Sequence, residues 1–327
     1  MKPVMLTVGG GKGGIGKSMI TANLGMVMAR LGHSTLVIDA DLGGSDLHNL
    51  LGMDNYGPGL GELLTQRGLK ISDLPQPIRE PRLYFIPGDA CLPAATNPRF
   101  QRKRKLFHDI NRLPHEFVFL DLGAGSSITV TDFFLSSPFS LLIMTPERAA
   151  ELNVFNFFKN LVYRLLAPLA RNNNTFAGQL ALFQKRRLGP GSGAINILRE
   201  NLAEDFKAKV NDLLKSIKPK LLLNRLRKID EFIQAQQVQA WVRDDLGLEV
   251  EIIGFLPEDE IVMEAARSGV PALDIDPRAP FCRALALLGY KLSPWAGKPE
   301  DWLQAGAAPE SFTRAATEFA PFFPTPR

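Results

Sequence analysis

Three observations predict a three-layer α/β fold: apolar runs alternate with stretches of helical spacing, a glycine-rich loop follows the first run, and aspartates close two later ones. Short, continuous apolar runs are the mark of buried parallel strands, so the expected architecture is a mostly parallel sheet with helices on both faces. The 327 residues, 45% of them apolar, suffice for one large domain of this kind or two small ones.

The first run, "VMLTV" at 4–8, leads into "GGGKGGIGKS", Gly9 to Ser18. From Gly11 the stretch matches the phosphate-loop pattern G-x-x-x-x-G-K-[ST], in the strand-loop-helix setting that the pattern needs. Gly11, Gly13, Gly14 and Gly16 let the backbone curl so that successive N–H groups point inward. A helix opening near Lys17 adds the positive end of its dipole. Lys17 is then expected on the β and γ phosphates of a nucleotide and the Ser18 hydroxyl in a Mg²⁺ shell. That helix carries Ile20, Leu24, Val27, Met28 and Leu31 along one face and stops at Gly32. A second lysine, Lys12, stands inside the loop where the pattern asks for none.

The next run, "STLVIDAD" at 34–41, ends in Asp39 and Asp41, with Asp46 five residues on; "RLYFIPG" at 82–88 follows. "RFQRKRKLF" at 99–107 is basic and falls on a predicted helix, where it reads as a solvated face. "FVFLDLG" at 117–123 ends in Asp121, backed by Gly123 and Gly125, and suits a Walker B aspartate holding a metal-bound water. One aspartate at a strand end would be read as a cap or turn former, but three beside a phosphate loop point to metal chemistry. "SLLIMTP" at 140–146, "KLLLNRL" at 220–226 and "VEIIGFLP" at 250–257 complete the strands. Residues 165–218, with "RNNN" and "RRLGPGSGA", break the rhythm and are expected to be an insertion in a domain spanning 1–293; residues 294–327 form a tail rich in Pro, Gly and Ala.

Composition narrows the chemistry. Thirty-eight basic against 34 acidic residues give a net charge of +4, which permits weak attraction to phosphates without requiring it. Cys91 and Cys282 form no C-x-x-C pair, which disfavours zinc and iron–sulfur centres and fits a reducing cytoplasm, and the four histidines show no ligand spacing. The opening residues have too short an apolar stretch for a signal peptide, and Lys159 and Arg164 interrupt the most apolar long window, Leu152 to Ala170. A cytoplasmic protein without a membrane span is expected.

"KGGIGKS", "DADLGG" and "DLGAG" resemble the MinD/ParA family of deviant Walker A ATPases, across most of residues 4–290. "DADLGGSDLHNLLG", "DLGAGSS" and "TPE" are most similar to its FlhG (FleN) flagellar-number branch, apart from Asp46, where that branch usually has asparagine. The resemblance implies a P-loop NTPase fold, ATP and Mg²⁺ as ligands, and an ATP-dependent homodimer with the nucleotides sandwiched between protomers. It implies that Lys12 reaches the partner protomer's phosphates as an arginine finger would, and that Asp41 positions the attacking water, so that Lys12, Lys17 and Asp41 carry catalysis. Ser18, Asp39 and Asp121 are implied for the metal and its water. Nucleotide contacts are implied for Gly11, Lys12, Gly13, Gly14, Ile15, Gly16, Lys17, Ser18 and Met19, with Asn224, Arg225, Pro257, Glu258 and Asp259 around the adenine. The amide of Asn224 offers both a donor and an acceptor to a base edge.

The expected function is thus an ATP-hydrolysing switch that sets the placement or number of a cellular structure, flagella or the division or pole machinery, and answers to an activating protein partner. A DNA-binding partition ATPase and an amide-forming synthetase are the alternatives, and DNA binding is not expected. In the tail, Phe312, Ala316, Phe319 and Phe323 form an apolar stripe for docking to a partner or a membrane, at the inner face of the cell membrane or a pole. Against a membrane, Arg314 and Arg327 are outnumbered there by Glu300, Asp301, Glu310 and Glu318, so no basic face meets anionic lipid.

Overall fold

Each of the seven apolar runs forms a strand of a single sheet in the computed structural model, which describes residues 2–44, 46–53, 57–65, 68–88, 100–137, 139–296 and 310–323. The strands are β1 (Val4–Gly10), β2 (Thr35–Ala40), β3 (Gln76–Pro77), β4 (Leu83–Ile86), β5 (Phe117–Leu122), β6 (Leu141–Met144), β7 (Lys220–Leu226) and β8 (Glu251–Pro257). Only β3 has no counterpart in the sequence reading: it is two residues long, includes a proline and sits at an edge. The helices are α1 (Lys17–Arg30), α2 (Leu47–Leu50), α3 (Leu60–Thr65), α4 (Phe100–Ile110), α5 (Ile128–Phe134), α6 (Arg148–Leu166) and α7 (Asn174–Lys185). They continue with α8 (Ala194–Arg199), α9 (Glu204–Lys215), α10 (Ile233–Leu246), α11 (Glu260–Ser268), α12 (Ala272–Ile275), α13 (Pro280–Leu292) and α14 (Ser311–Phe319).

The sheet runs β3-β4-β2-β5-β1-β6-β7-β8, parallel throughout except for β3. The chain passes from β1 to β2 in one direction across it and from β5 through β6 and β7 to β8 in the other. Right-handed crossovers then place α1 on one face and α5, α6 and α10 on the opposite face, which makes the expected three layers. Helix α13 packs over α1, so α1 is buried on all sides and not only along the stripe read from its spacing. That approach needs Gly289, since a Cβ there would lie 2.2 Å from Val27 Cγ1.

Residues 165–218, the expected insertion within the domain, are helical: α6 runs on to Leu166, and α7, α8 and α9 bury Phe176, Phe183, Leu198 and Val210 in the same core as the sheet. Asp245 on α10 ties down the Gly-rich loop, accepting N–H bonds from Gly191 (2.7 Å) and Gly193 (2.6 Å). In the tail, the apolar stripe is covered by the protein itself. Helix α14 lies along β8, the edge strand, with Phe319 fully buried over Gly254, where a Cβ would sit 2.6 Å from the Phe319 ring. Ser311 Oγ accepts the Ile252 N–H of that strand at 3.2 Å, and Lys291 on α13 pairs with Glu318. An edge left open would expose unpaired backbone groups, and α14 closes it. Among the described residues no helix is long and apolar enough to cross a membrane.

Candidate functional site

Strand order assembles the site. Because β5 lies between β2 and β1, Asp39 and Asp121 are register partners, and the loop after β1 emerges beside them at the carboxyl end of the sheet. This is where a parallel sheet reverses its direction of winding and leaves a crevice for a ligand.

The glycine loop curls as its composition requires, with positive φ at Gly14 (75°) and Gly16 (92°). Gly16 also meets a steric demand, since a Cβ there would stand 2.5 Å from Asn224 Nδ2. That amide is buried and donates to the Ile15 carbonyl at 2.8 Å. Asn224 therefore braces the loop through one N–H, which leaves its second N–H and its Oδ1 for a base edge. Gly11 faces α6, where a Cβ would come within 2.8 Å of the Asn153 carbonyl. Ile15 and Met19 are buried beneath the loop, and Met19 accepts from Asn23 through its carbonyl at 2.9 Å.

The two lysines part company. Lys17 is buried at the start of α1 beside Asp121. Lys12 turns out of the loop: its side chain is 59% exposed and its Nζ is 4.0 Å from Glu147 Oε2, itself 59% exposed at the start of α6. Nothing in the sequence reading assigned Glu147 a part, although it belongs to the "TPE" stretch.

The aspartates divide likewise. Asp121 is buried and takes hydrogen bonds from Ser18 and from Thr21 Oγ1 (3.3 Å). Burial, the strongest influence, pushes its carboxyl up to about 6, against the pull of the Ser18 and Thr21 bonds and the Lys17 charge and with a further push from Asp41. Asp39 is fully buried, and its oxygens accept backbone N–H bonds from Asp41 (3.0 Å) and Leu47 (3.2 Å). Asp39 thus holds the loop that carries Asp41. Asp41 Oδ1 accepts from Gly43 N at 3.3 Å and lies 3.0 Å from where a Cβ on Gly123 would be, so the β5 turn approaches it only because Gly123 has no side chain.

Among the described residues no three His, Cys, Asp or Glu side chains gather as metal ligands. One hydroxyl, Ser18, hydrogen-bonded to a buried carboxylate suits Mg²⁺, which keeps several waters and draws on phosphate oxygens. On the base side, Arg225 adopts a left-handed backbone (φ 60°) beside Asn224. Pro257 closes β8, Glu258 pairs with Arg227, and Asp259 caps α11 by accepting from Ile261 N (3.2 Å) while its other oxygen accepts from Phe281 N (3.0 Å). The sequence reading missed that structural duty of Asp259. It also missed Asn160, which donates to Ser126 Oγ at 2.7 Å just past the β5 turn.

Residues 6–272 match the model of the CobQ/CobB/MinD/ParA nucleotide binding domain. A protein of Nephroselmis olivacea described as a septum site-determining MinD is 51% identical over 180 residues, 51% of this chain and 63% of that one. The chain spans 52% to 69% of the length of the first four curated relatives it matches. The structure of MinD with Mg-ADP from Pyrococcus horikoshii superimposes with a TM-score of 0.62 over 91% of this chain and 99% of that one, at 19% identity. A ParA family ATPase from Chlorobium tepidum gives 0.58 over 88% and 98%, at 16% identity. These two likenesses speak to the fold.

Proposed function

Since the chain belongs to the CobQ/CobB/MinD/ParA nucleotide-binding family, we propose that it is an ATP-hydrolysing switch that closes into a homodimer around its nucleotides. The observation that carries this is the outward Lys12, which a single protomer does not use on its own loop. Two triphosphates brought face to face repel, and closure requires cations aimed from each protomer at the other's phosphates.

The residues divide the reaction. Backbone N–H groups of Gly13 to Lys17 hold the phosphates, and Lys17 neutralises the β and γ oxygens. Mg²⁺, when bound, would be held by Ser18, with Asp121 on its water shell, and it supplies charge neutralisation at the phosphate oxygens. Asp41, fixed by Asp39 and given room by Gly123, orients a water against the γ phosphorus. As the water oxygen bonds to that phosphorus the bond to the β-bridging oxygen breaks, ADP leaves, and Lys12 of the other protomer offsets the developing charge. Asn224 Oδ1 accepts from the adenine amino group, with Arg225 and the 257–259 turn around the base.

Lys12→Ala tests this reading. It is expected to keep nucleotide binding and to lower turnover by a factor on the order of 10³, as loss of a trans-acting cation does. Wild-type turnover in that variant would refute it.

Further along the same line, "DADLGGSDLHNLLG" and "DLGAGSS" support a role in setting flagellar number or placement, with a flagellar or polar protein as activator. Counting flagella by electron microscopy in cells lacking the gene tests it: altered numbers are expected, and unchanged numbers would send the search to division machinery. The basic run 99–107 gives little support to DNA binding, because Arg102 donates to the Leu64 carbonyl and Lys103 to Asp132 (2.8 Å).

A further inference from the structure

Away from the nucleotide edge, a cavity of about 620 Å³ opens between α4, α5 and the end of α6. Its apolar lining includes the half-buried Phe107, Leu135 and Leu165, which form the floor, and the exposed Pro168. Beneath one wall Asp132 of α5 is pinned by Lys103 of α4 (2.8 Å) and by Arg164 of α6, whose Nη2 donates to it at 3.2 Å. The rim carries Arg104 and Arg171, both exposed and neither with an acidic partner among the described residues. Four cations against one carboxylate leave the groove with a charge of +3.

We propose that this groove is a docking site for an acidic peptide segment of a partner protein, one that alternates carboxylates with leucine- or phenylalanine-sized side chains. The placement of charge chooses the occupant. The two less exposed cations are already paired with Asp132, so no unpaired buried charge awaits a small anion. The unpaired cations stand at a wet rim around an apolar floor, the anatomy of a protein interface. A nucleic acid backbone or a lipid headgroup would use the rim and leave the floor empty. The occupant would lie against α5, which starts at Ile128, a few residues past Gly125 of the β5 turn, and whose hold on α6 runs through Asp132 and through Asn160 to Ser126. This surface does not depend on the hydrolytic reading of the nucleotide site.

The test uses fluorescence anisotropy on the full chain without nucleotide, with two labelled nonapeptides, one alternating Glu and Leu, the other Lys and Leu. The wild-type protein is expected to bind the Glu-Leu peptide saturably and at least tenfold more tightly than the Lys-Leu peptide. In Arg104→Glu/Arg171→Glu, two surface changes that leave the core intact, the preference should reverse. Leu135→Ser, which thins the floor, should weaken the Glu-Leu peptide severalfold while keeping the preference. The proposal is overturned if neither peptide saturates, or if the doubly reversed variant, with unchanged thermal unfolding, binds the Glu-Leu peptide as the wild type does. It is overturned equally if that variant loses affinity for a DNA duplex or for phosphatidylglycerol vesicles while the peptide fails to compete for them.

Discussion

Lys12 and Lys17 stand five residues apart and answer to different charges, one in solvent beside Glu147 and one buried beside Asp121. Asp121 illustrates how much the site depends on what it binds. Its carboxyl is raised from an ordinary 3.8 to about 6 by burial, so the folded, nucleotide-free chain holds this proton to higher pH than the unfolded chain does. That contribution to stability is fully present below about pH 4 and is lost as pH rises through about 6. Asp121→Asn removes the penalty, and its stability advantage over wild type should therefore grow between pH 4 and 7 without nucleotide, as chemical denaturation would report. A difference independent of pH would show that Asp121 ionises freely. The glycine loop and the strand-end aspartates stood out in the sequence because their residue types recur at fixed spacing, and the fold brings them to one crevice. The bracing roles of Asn224 and Asp39 were not, since each depends on a backbone group that only the fold brings near.

At the level of elements, the apolar runs located the long strands, because a strand buried on both faces has little choice but to be apolar. The helices of the crossover between β6 and β7, α7, α8 and α9, were not legible in the sequence because polar, glycine-bearing loops join them, although their inner residues are buried. The tail shows the opposite limit: its stripe was plain, but periodicity says which residues are covered and not by what. With Phe319 fully buried over Gly254, Phe319→Ala should cost about 3–5 kcal/mol by opening a cavity. A lower urea midpoint with unchanged slope would report it. No change in midpoint would mean that α14 does not stay on β8 in solution.

For the molecule as a whole, the strand order β2-β5-β1 makes one crevice from three distant stretches of chain, an arrangement implied by the α/β class but not spelled out by any run of residues. The loop beside that crevice carries the outward Lys12, the residue on which the proposed two-chain working unit rests. Size-exclusion chromatography with light scattering on Asp41→Ala, a variant expected to bind ATP and hold it unhydrolysed, reads this most directly. A monomer is expected without nucleotide and a dimer with Mg²⁺ and ATP, with the dimer lost when Lys12→Ala is added. An oligomeric state indifferent to nucleotide, or a dimer that survives the loss of Lys12, would contradict the two-chain working unit.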